Sequence, residues 1–556
     1  MLSPFSQRLP ATSAAPDDRQ MSDAHLVHHD LSGLRSYLLC QKDTTTHQAP
    51  AKEPTKINKR PTQLDAESAQ CSIFMVSMRR LPADVLSEIF VNVPNAPNSS
   101  QRNKEVLALC QISSWWRYVA FSTPHLWTAL SICLPNQTAS YEAVGPIKDF
   151  ASEWFGRTGT ILPLALRIQV NVPTEKDDSK ERPDSCLKLV QSIIKPFVHR
   201  LKHLDLDSWF IYSLLIPFLS QSVPYNITTS LILRAGKEER YPIHQRESPD
   251  PPRIFPKLKR VKFERDLLAT EPPFFPLPWG QLTHVTVNYL PSQYWIDLLS
   301  MCPNLEFGDF NFPGDVYDHV GVEQDIITPI PLHNLKELVC TFMESFDPYV
   351  FYRLDMPGLT TLRLGASAED DQGVWMWRRE PSDVFHAISS VRRMALIKEW
   401  PLCTYMFTML LTHAPQLKEL ELQLDSELHP LLEVLQADPF QKKHLVPYLQ
   451  FVTIDVVNFY EYSPTIGVHT FPIDFVASFL QSRRNGEEVQ RKLERFVLYF
   501  PDRKDPASKA ERRKIFSKLR DLKEPKFDVS LLLRHRGNHK GWRGRLQDFH
   551  SSKEAM

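Results

Sequence analysis

YMFTMLLTHAPQLKELEL, residues 405–422, holds an apolar helical run, a stop and a strand in immediate succession. Pro415 cannot extend a helix and biases the residue before it away from helical angles, so the helix is expected to end there. Two residues later, Leu417, Leu420 and Leu422 fall in the frame apolar, two variable, apolar, one variable, apolar. Alternation puts the last two on one face of a strand. The same order recurs in YWIDLLSMCPNLEF, residues 294–307, with Pro303 as the stop.

Working outward, the frame recurs as LKHLDL from Leu201, LKRVKF from Leu258, LTHVTV from Leu282, LKELVC from Leu335, LTTLRL from Leu359, VRRMAL from Val391, LQFVTI from Leu449 and LERFVL from Leu493. Two degenerate copies, TTSLIL near Thr228 and LEFGDF at Leu305, fill the gaps, so that successive starts lie 23 to 44 residues apart. That spacing suits one strand and one helix per unit. The pattern resembles the strand signature of leucine-rich repeats, although the asparagine of regular repeats is missing. The expectation is an α/β fold, a leucine-rich-repeat-like solenoid with a curved parallel sheet over 149–500.

The register predicts an outward face. It carries His203, Asp205 and Asp207, then Arg260, Lys262 and Glu264, then His284, Thr286 and Asn288, and continues through Thr361, Arg363, Arg393, Glu419, Glu421 and Gln423. Arg260, Lys262, Arg363, Arg393, Glu419 and Glu421 are the candidate substrate-binding residues. An acidic or phosphorylated protein partner is the expected ligand of the arginines.

Upstream, three of the eleven tryptophans, Trp115, Trp116 and Trp127, crowd into CQISSWWRYVAFSTPHLW, residues 110–127. Before them, MRRLPADVLSEIFVNVP repeats Val85, Leu86, Ile89, Phe90 and Val93 at helical spacing, with Pro82 and Asp84 where a helix start favours them. KEVLALCQI supplies a second helix and the i,i+4 pairs Trp115/Val119 and Trp116/Ala120 a third, while Thr123 and Pro124 suit a cap and first turn. Three short helices cannot bury so much apolar surface among themselves. Something else must cover the remainder.

LPADVLSEIF, LALCQISSWWRYVA and STPHLW, in this order over residues 78–134, closely resemble the F-box of fungal proteins of the basidiomycete type. The resemblance implies a helical module that docks on the adaptor subunit of an SCF-type ubiquitin ligase and, through it, a cullin. It places Leu81, Pro82, Val85, Leu86, Ile89 and Phe90 in the adaptor groove, and gives Leu109, Cys110, Trp116, Ala120, Leu126 and Trp127 to the remaining core and interface. Trp115 stands where such proteins usually carry Arg or Lys. Its expected role is to cover the module's own seam with the next segment. That segment, DFASEWFGRTGTILPLALRI, residues 149–168, reads as a helix with Trp154 and Phe155, a turn and the strand LPLALRI.

The function implied is a substrate receptor that performs no chemistry itself; a scaffold acting outside degradation is the alternative. Composition agrees with a non-enzyme. Glycine is scarce at 17 residues against 45 prolines, and neither GxGxxG nor GxxxxGK[ST] nor GxSxG nor HExxH occurs. No cofactor or metal is expected. Lysine plus arginine equals aspartate plus glutamate at 65 each, so no global field favours nucleic acid or an anionic membrane. Eight cysteines form no CxxC pair and no apolar run suits a spanning helix, which points to reduced thiols in cytoplasm or nucleus. Residues 1–76 read as a disordered leader, with His25, His28, His29 and Asp30 solvated there, 236–256 as an inserted loop, and 501–556 as a basic tail.

Overall fold

In the computed structural model the described residues are 81–92, 100–134, 144–170, 182–208, 225–235, 254–264, 277–312, 329–342, 351, 353–366, 387–397, 404–423, 428–436, 445–456, 473–485, 493–501, 506–521 and 527–534. The expected leader, the clustered histidines within it and nearly all of the expected insertion at 236–256 lie outside them. The chain divides into two compact units, Met1–Phe218 and Leu219–Met556.

The first unit opens with three helices, α1 (Ala83–Asn92), α2 (Ser100–Ile112) and α3 (Ser114–Phe121). Ser113 caps α3 by accepting the Trp116 N–H at 3.1 Å. Pro124–Trp127 form one 3-10 turn, but Thr123 does not cap it as its position suggested. Its hydroxyl donates back to the Val119 carbonyl at 2.7 Å and lies 2.8 Å from the Ser87 hydroxyl, tying α3 to α1. Then follow β1 (Ala129–Leu134), α4 (Val144–Gly156), β2 (Leu164–Val170), α5 (Arg182–Ile194) and β3 (Leu201–Ser208).

β1 pairs with β2 and β2 with β3, both in parallel. β2 alternates as the sequence suggested, with Leu164, Leu166, Ile168 and Val170 buried. Gly159, at φ 70°, turns the chain between α4 and β2. The buried Arg200 grips this turn, donating to the carbonyls of Gly159 (2.6 Å) and Leu162 (2.9 Å) and to the Thr158 hydroxyl (2.5 Å).

The second unit is an eleven-stranded parallel sheet. Its strands are β4 (Ser230–Ala235), β5 (Arg260–Glu264), β6 (His284–Val287), β7 (Phe307–Phe312), β9 (Glu337–Phe342), β11 (Thr361–Ala366), β12 (Arg393–Ile397), β13 (Glu419–Gln423), β14 (Phe451–Asp455), β15 (Arg495–Pro501) and β16 (Asp528–Arg534), in that spatial order. Two short strands, β8 (Ile330–Pro331) and β10 (Leu354–Asp355), pair separately. Helices α6 (Ser292–Ser300), α7 (Thr404–His413), α8 (Leu428–Leu435), α9 (Ile473–Asn485) and α10 (Pro506–Asp521) lie between strands. The fold class is therefore α/β with a large parallel sheet, consistent with a repeat solenoid.

One backbone device recurs along the sheet from β4 to β15. The residue before the strand offers its carbonyl to two successive N–H groups of the next repeat: Lys259 to Thr283 and His284, Thr283 to Glu306 and Phe307, Glu306 to Lys336 and Glu337, and so on to Gln450 with Glu494 and Arg495. The first leucine of each frame, Leu258, Leu282, Leu305, Leu335, Leu359, Leu417, Leu449 and Leu493 among them, is buried. Each contributes roughly 1.5–3 kcal/mol. Entry to the frame is a turn closed by an N–H donating three residues back, as from Leu305 to Cys302 and from Leu417 to Ala414. Proline takes the second place in five such turns, as Pro256, Pro303, Pro357, Pro415 and Pro447, where its fixed φ suits a β-turn. The proline thus belongs to the repeat's turn, whether or not a helix comes first.

The array does not stop at residue 500. α10 and β16 add a further helix and strand, with β16 paired along its length to β15 from Arg495↔Asp528 to Pro501↔Arg534. The start of the expected basic tail is a repeat. Arg513, Lys514 and Arg520 are exposed on α10, whose Ile515 and Leu519 are buried, and Lys518 pairs with Asp474 of α9.

Candidate functional site

Two surfaces hold the residues that the sequence singled out. The first is the helical module of the first unit. Leu86 and Phe90 of α1 are fully buried, and so, nearly or wholly, are Leu109, Cys110, Trp116, Ala120, Leu126 and Trp127. Phe90 packs on Trp116 with ring centroids 5.0 Å apart. These eight hold the module together from inside.

Leu81, Pro82, Val85 and Ile89 are the members of the set that reach the surface. Pro82 and Val85 are exposed, Val85 at 43%, and Leu81 and Ile89 are half-buried. Val85 and Ile89 are four residues apart and lie on one face of α1, and Leu81 stands two residues before its first turn. Pro82 starts that helix by accepting the Leu86 N–H at 3.0 Å. Ile112 and Tyr118, which the sequence reading passed over, are exposed at 41% and 55%. Trp115 is half-buried and stacks on Tyr118 at 5.7 Å. Burial raises the Cys110 thiol to about 11, so it is a packed apolar group and a poor nucleophile at neutral pH.

The second surface is the face of the eleven-stranded sheet opposite the core. The register brings the predicted outward residues into rows running across the strands. One row reads Arg260, His284, Phe307, Glu337, Thr361, Arg393, Glu419, Phe451, Arg495 and Asp528. The next reads Lys262, Thr286, Asp309, Val339, Arg363, Ala395, Glu421 and Thr453. Residues separated by over a hundred positions in the chain thus share one face.

Five cations on that face are paired with acids from neighbouring strands or their own. Arg363 lies 3.2 Å from Glu337, Arg393 3.2 Å from Glu419, Arg495 3.3 Å from Asp528, and Glu264 takes both Arg234 (2.6 Å) and Lys262 (2.7 Å). Arg363 is largely buried, and desolvation lowers its pKa although Glu337, Glu421 and Asp309 oppose the shift. Each of these cations thus has a carboxylate beside it within the fold. In the first unit, Arg167 likewise lies 3.7 Å from both Asp205 and Asp207.

Among the described residues no group of His, Cys, Asp and Glu could hold a metal ion, and no helix is long and apolar enough to cross a membrane. No family model matches the chain. No curated protein matches it. Among solved structures it is similar to the complex of Rad7 and Elc1 in yeast, at 13% identity over 75% of this chain and 97% of that one, with a TM-score of 0.31.

Proposed function

We propose that the chain is the substrate-recognition subunit of an SCF-type cullin-RING ubiquitin ligase, its N-terminal helical module docking the adaptor and its repeats holding a protein substrate. The motif order of LPADVLSEIF, LALCQISSWWRYVA and STPHLW supports the first half. The observation that carries it is the apolar pair Val85 and Ile89 on α1, with Leu81 just before the helix, left at the surface while Leu86 and Phe90 on the same helix fill the core. A helix that presents apolar side chains on both faces needs a second surface to cover the outer one. The repeats perform no bond chemistry in this reading; they raise the effective concentration of a substrate near a conjugating enzyme.

The test is adaptor binding to the purified full chain. Val85→Asp should weaken it by about tenfold or more, since a charge replaces an apolar contact, while the melting temperature stays near that of the parent. Unchanged adaptor affinity in Val85→Asp, or no adaptor binding by the parent, removes the reading.

A further inference from the structure

We propose that the outer flank of the last repeat, the open edge of β16 beside α10, takes an extended acidic peptide of a partner protein as one further strand. This deepens the substrate-receptor reading and rests on it for the partner's role, while the binding chemistry stands on the repeat itself. β16 is the last strand in the spatial order, and among the described residues no strand pairs with its outer edge. The Asp528 N–H donates to the Glu494 carbonyl at 2.9 Å, so Asp528, Ser530 and Leu532 turn their backbone groups toward β15. Val529 and Leu531, alternating with them, turn theirs to the open edge, where a peptide strand can pair.

The side chains show the same missing neighbour. On β15 the core-facing Phe496 and Leu498 are fully buried, whereas their register partners Val529 and Leu531 on β16 are half-buried. α10 packs on β16, and its Lys518 reaches Asp474 of α9, which marks the side of the helix toward the preceding repeat. By helical rotation Lys509, Arg513, Phe516 and Arg520 fall within an arc of about 60° on the other flank, roughly opposite Lys518. All four are exposed, Phe516 at 53%. Among the described residues no carboxylate pairs with any of these three cations.

Charge decides the occupant. A second copy paired edge to edge would set Lys509, Arg513 and Arg520 against the same three cations. The chain's own residues 535–545 carry Arg536, Lys540, Arg543 and Arg545 and no acid, so they are repelled as well. Nucleic acid would match the cations but leave the strand edge, Val529 and Leu531 uncovered. A peptide with apolar residues at alternate positions, flanked by aspartate or glutamate, meets the backbone edge, the apolar flank and the cations together.

A random dodecapeptide library, displayed and selected on the purified full chain, tests this without a known partner. The enriched peptides should combine alternating apolar residues with aspartate or glutamate. Arg513→Glu should lower the affinity of an enriched peptide by about tenfold; Lys514→Glu, the same charge change outside the arc, should stay within about twofold. Leu531→Pro removes an outward N–H and no bond to β15, and should also weaken binding by about tenfold with the fold checked by melting. The two exposed charge variants decide the matter where the strand does not accept proline. A basic or uncharged consensus, no enrichment, or acidic peptides indifferent to Arg513→Glu overturns the proposal and leaves adaptor docking as it was. Three further results would overturn it: a dimer in sedimentation that Leu531→Pro dissolves, a gain in peptide binding when Arg536, Lys540, Arg543 and Arg545 are changed to glutamine, or oligouridylate bound through Arg513 with no peptide enriched. The occupant would then be, respectively, a second copy, the chain's own C-terminal segment or nucleic acid.

Discussion

The indole of Trp127 meets that of Trp154 edge to face, with ring centroids 4.7 Å apart and planes at 73°. Both are fully buried. Each N–H is used, Trp127 donating to the Ala120 carbonyl at 2.7 Å and Trp154 to that of Ala129 at 3.1 Å. The Arg157 guanidinium lies over the Trp127 ring at 4.6 Å. Trp154 and Arg157 belong to the helix and turn after the three-helix module, so that module has no separate core. α4 covers the module on its Trp127 side, while Val85 on α1 stays exposed.

The two tryptophans should therefore behave as one unit in stability. Trp127→Phe and Trp154→Phe each lose a buried donor and part of a ring. A double-mutant cycle by chemical denaturation should give a coupling of about 0.5–1.5 kcal/mol. Additive losses would mean that the rings are merely near each other.

Asn103 of α2 treats the outer edge of β1 as a strand would. Its side-chain amide donates to the Ser131 carbonyl at 2.5 Å and its oxygen accepts the Ser131 N–H at 3.3 Å. An uncovered edge strand is a template for pairing with another chain. Asn103→Leu keeps the volume but removes both bonds, and should cost about 1–3 kcal/mol. Light scattering should also show a rise in self-association for Asn103→Leu over the parent.

Trp115 carries little of this. Half-buried and stacked on the exposed Tyr118, it should tolerate Trp115→Arg with a loss of roughly 0.5–1 kcal/mol of stability. Adaptor affinity should stay within about threefold. A larger drop, on the order of 2 kcal/mol in binding, would make it an interface anchor.

Much of the sheet was legible in the sequence because its frame repeats: Leu258, Leu282, Leu359 and Leu417 all open strands where the pattern put them. The last strand escaped because Lys526 stands where the frame requires leucine, so FDVSLLL read as tail. The ion pairs escaped for a different reason. Arg363 and Glu337 are 26 residues apart in sequence, and only the strand register makes them neighbours. Read as single side chains the face runs from acidic to basic to acidic along the chain, while read as rows it shows which cation meets which carboxylate. Asn103 offered no signal either, since a polar residue on a short helix is ordinarily solvent-facing.

The paired carboxylates predict a pH response. Burial would raise the Glu264 pKa, but the Lys262 hydrogen bond and charge, together with Arg234, outweigh it and hold the carboxyl below its ordinary value. A depressed carboxylate stabilises the fold above the unfolded-state value, about 4.3, and loses that contribution as pH falls through the folded value. Glu264→Gln should therefore lower the melting temperature at pH 7, and the gap from the parent should close as pH falls below the unfolded-state value of about 4.3 and through the lower folded one. A gap that stays constant across that window would detach the stability from the charge.

Gly358 gives the sharpest test of the stacked turns. It occupies the third position of the turn Met356–Leu359, closed by the Leu359 N–H on the Met356 carbonyl at 3.1 Å. The same position in other repeats faces the preceding turn: Gln281 donates its amide to the Phe255 carbonyl at 2.7 Å, and Asn304 to that of Gly280 at 2.7 Å. At Gly358 the preceding turn is closer. A Cβ there would stand 2.6 Å from the His333 carbonyl oxygen and 3.3 Å from that of Leu335, both backbone atoms that cannot rotate away. Gly358→Ala must push two repeats apart, which should cost about 1–3 kcal/mol. Gly280, whose added Cβ would meet nothing nearer than 4.0 Å, is the control. Gly280→Ala should be neutral or stabilise by up to about 1 kcal/mol through the unfolded chain. Denaturation of the two variants side by side checks the pair of outcomes, and equal stability would mean that the turns do not stack closely enough to set the repeat spacing.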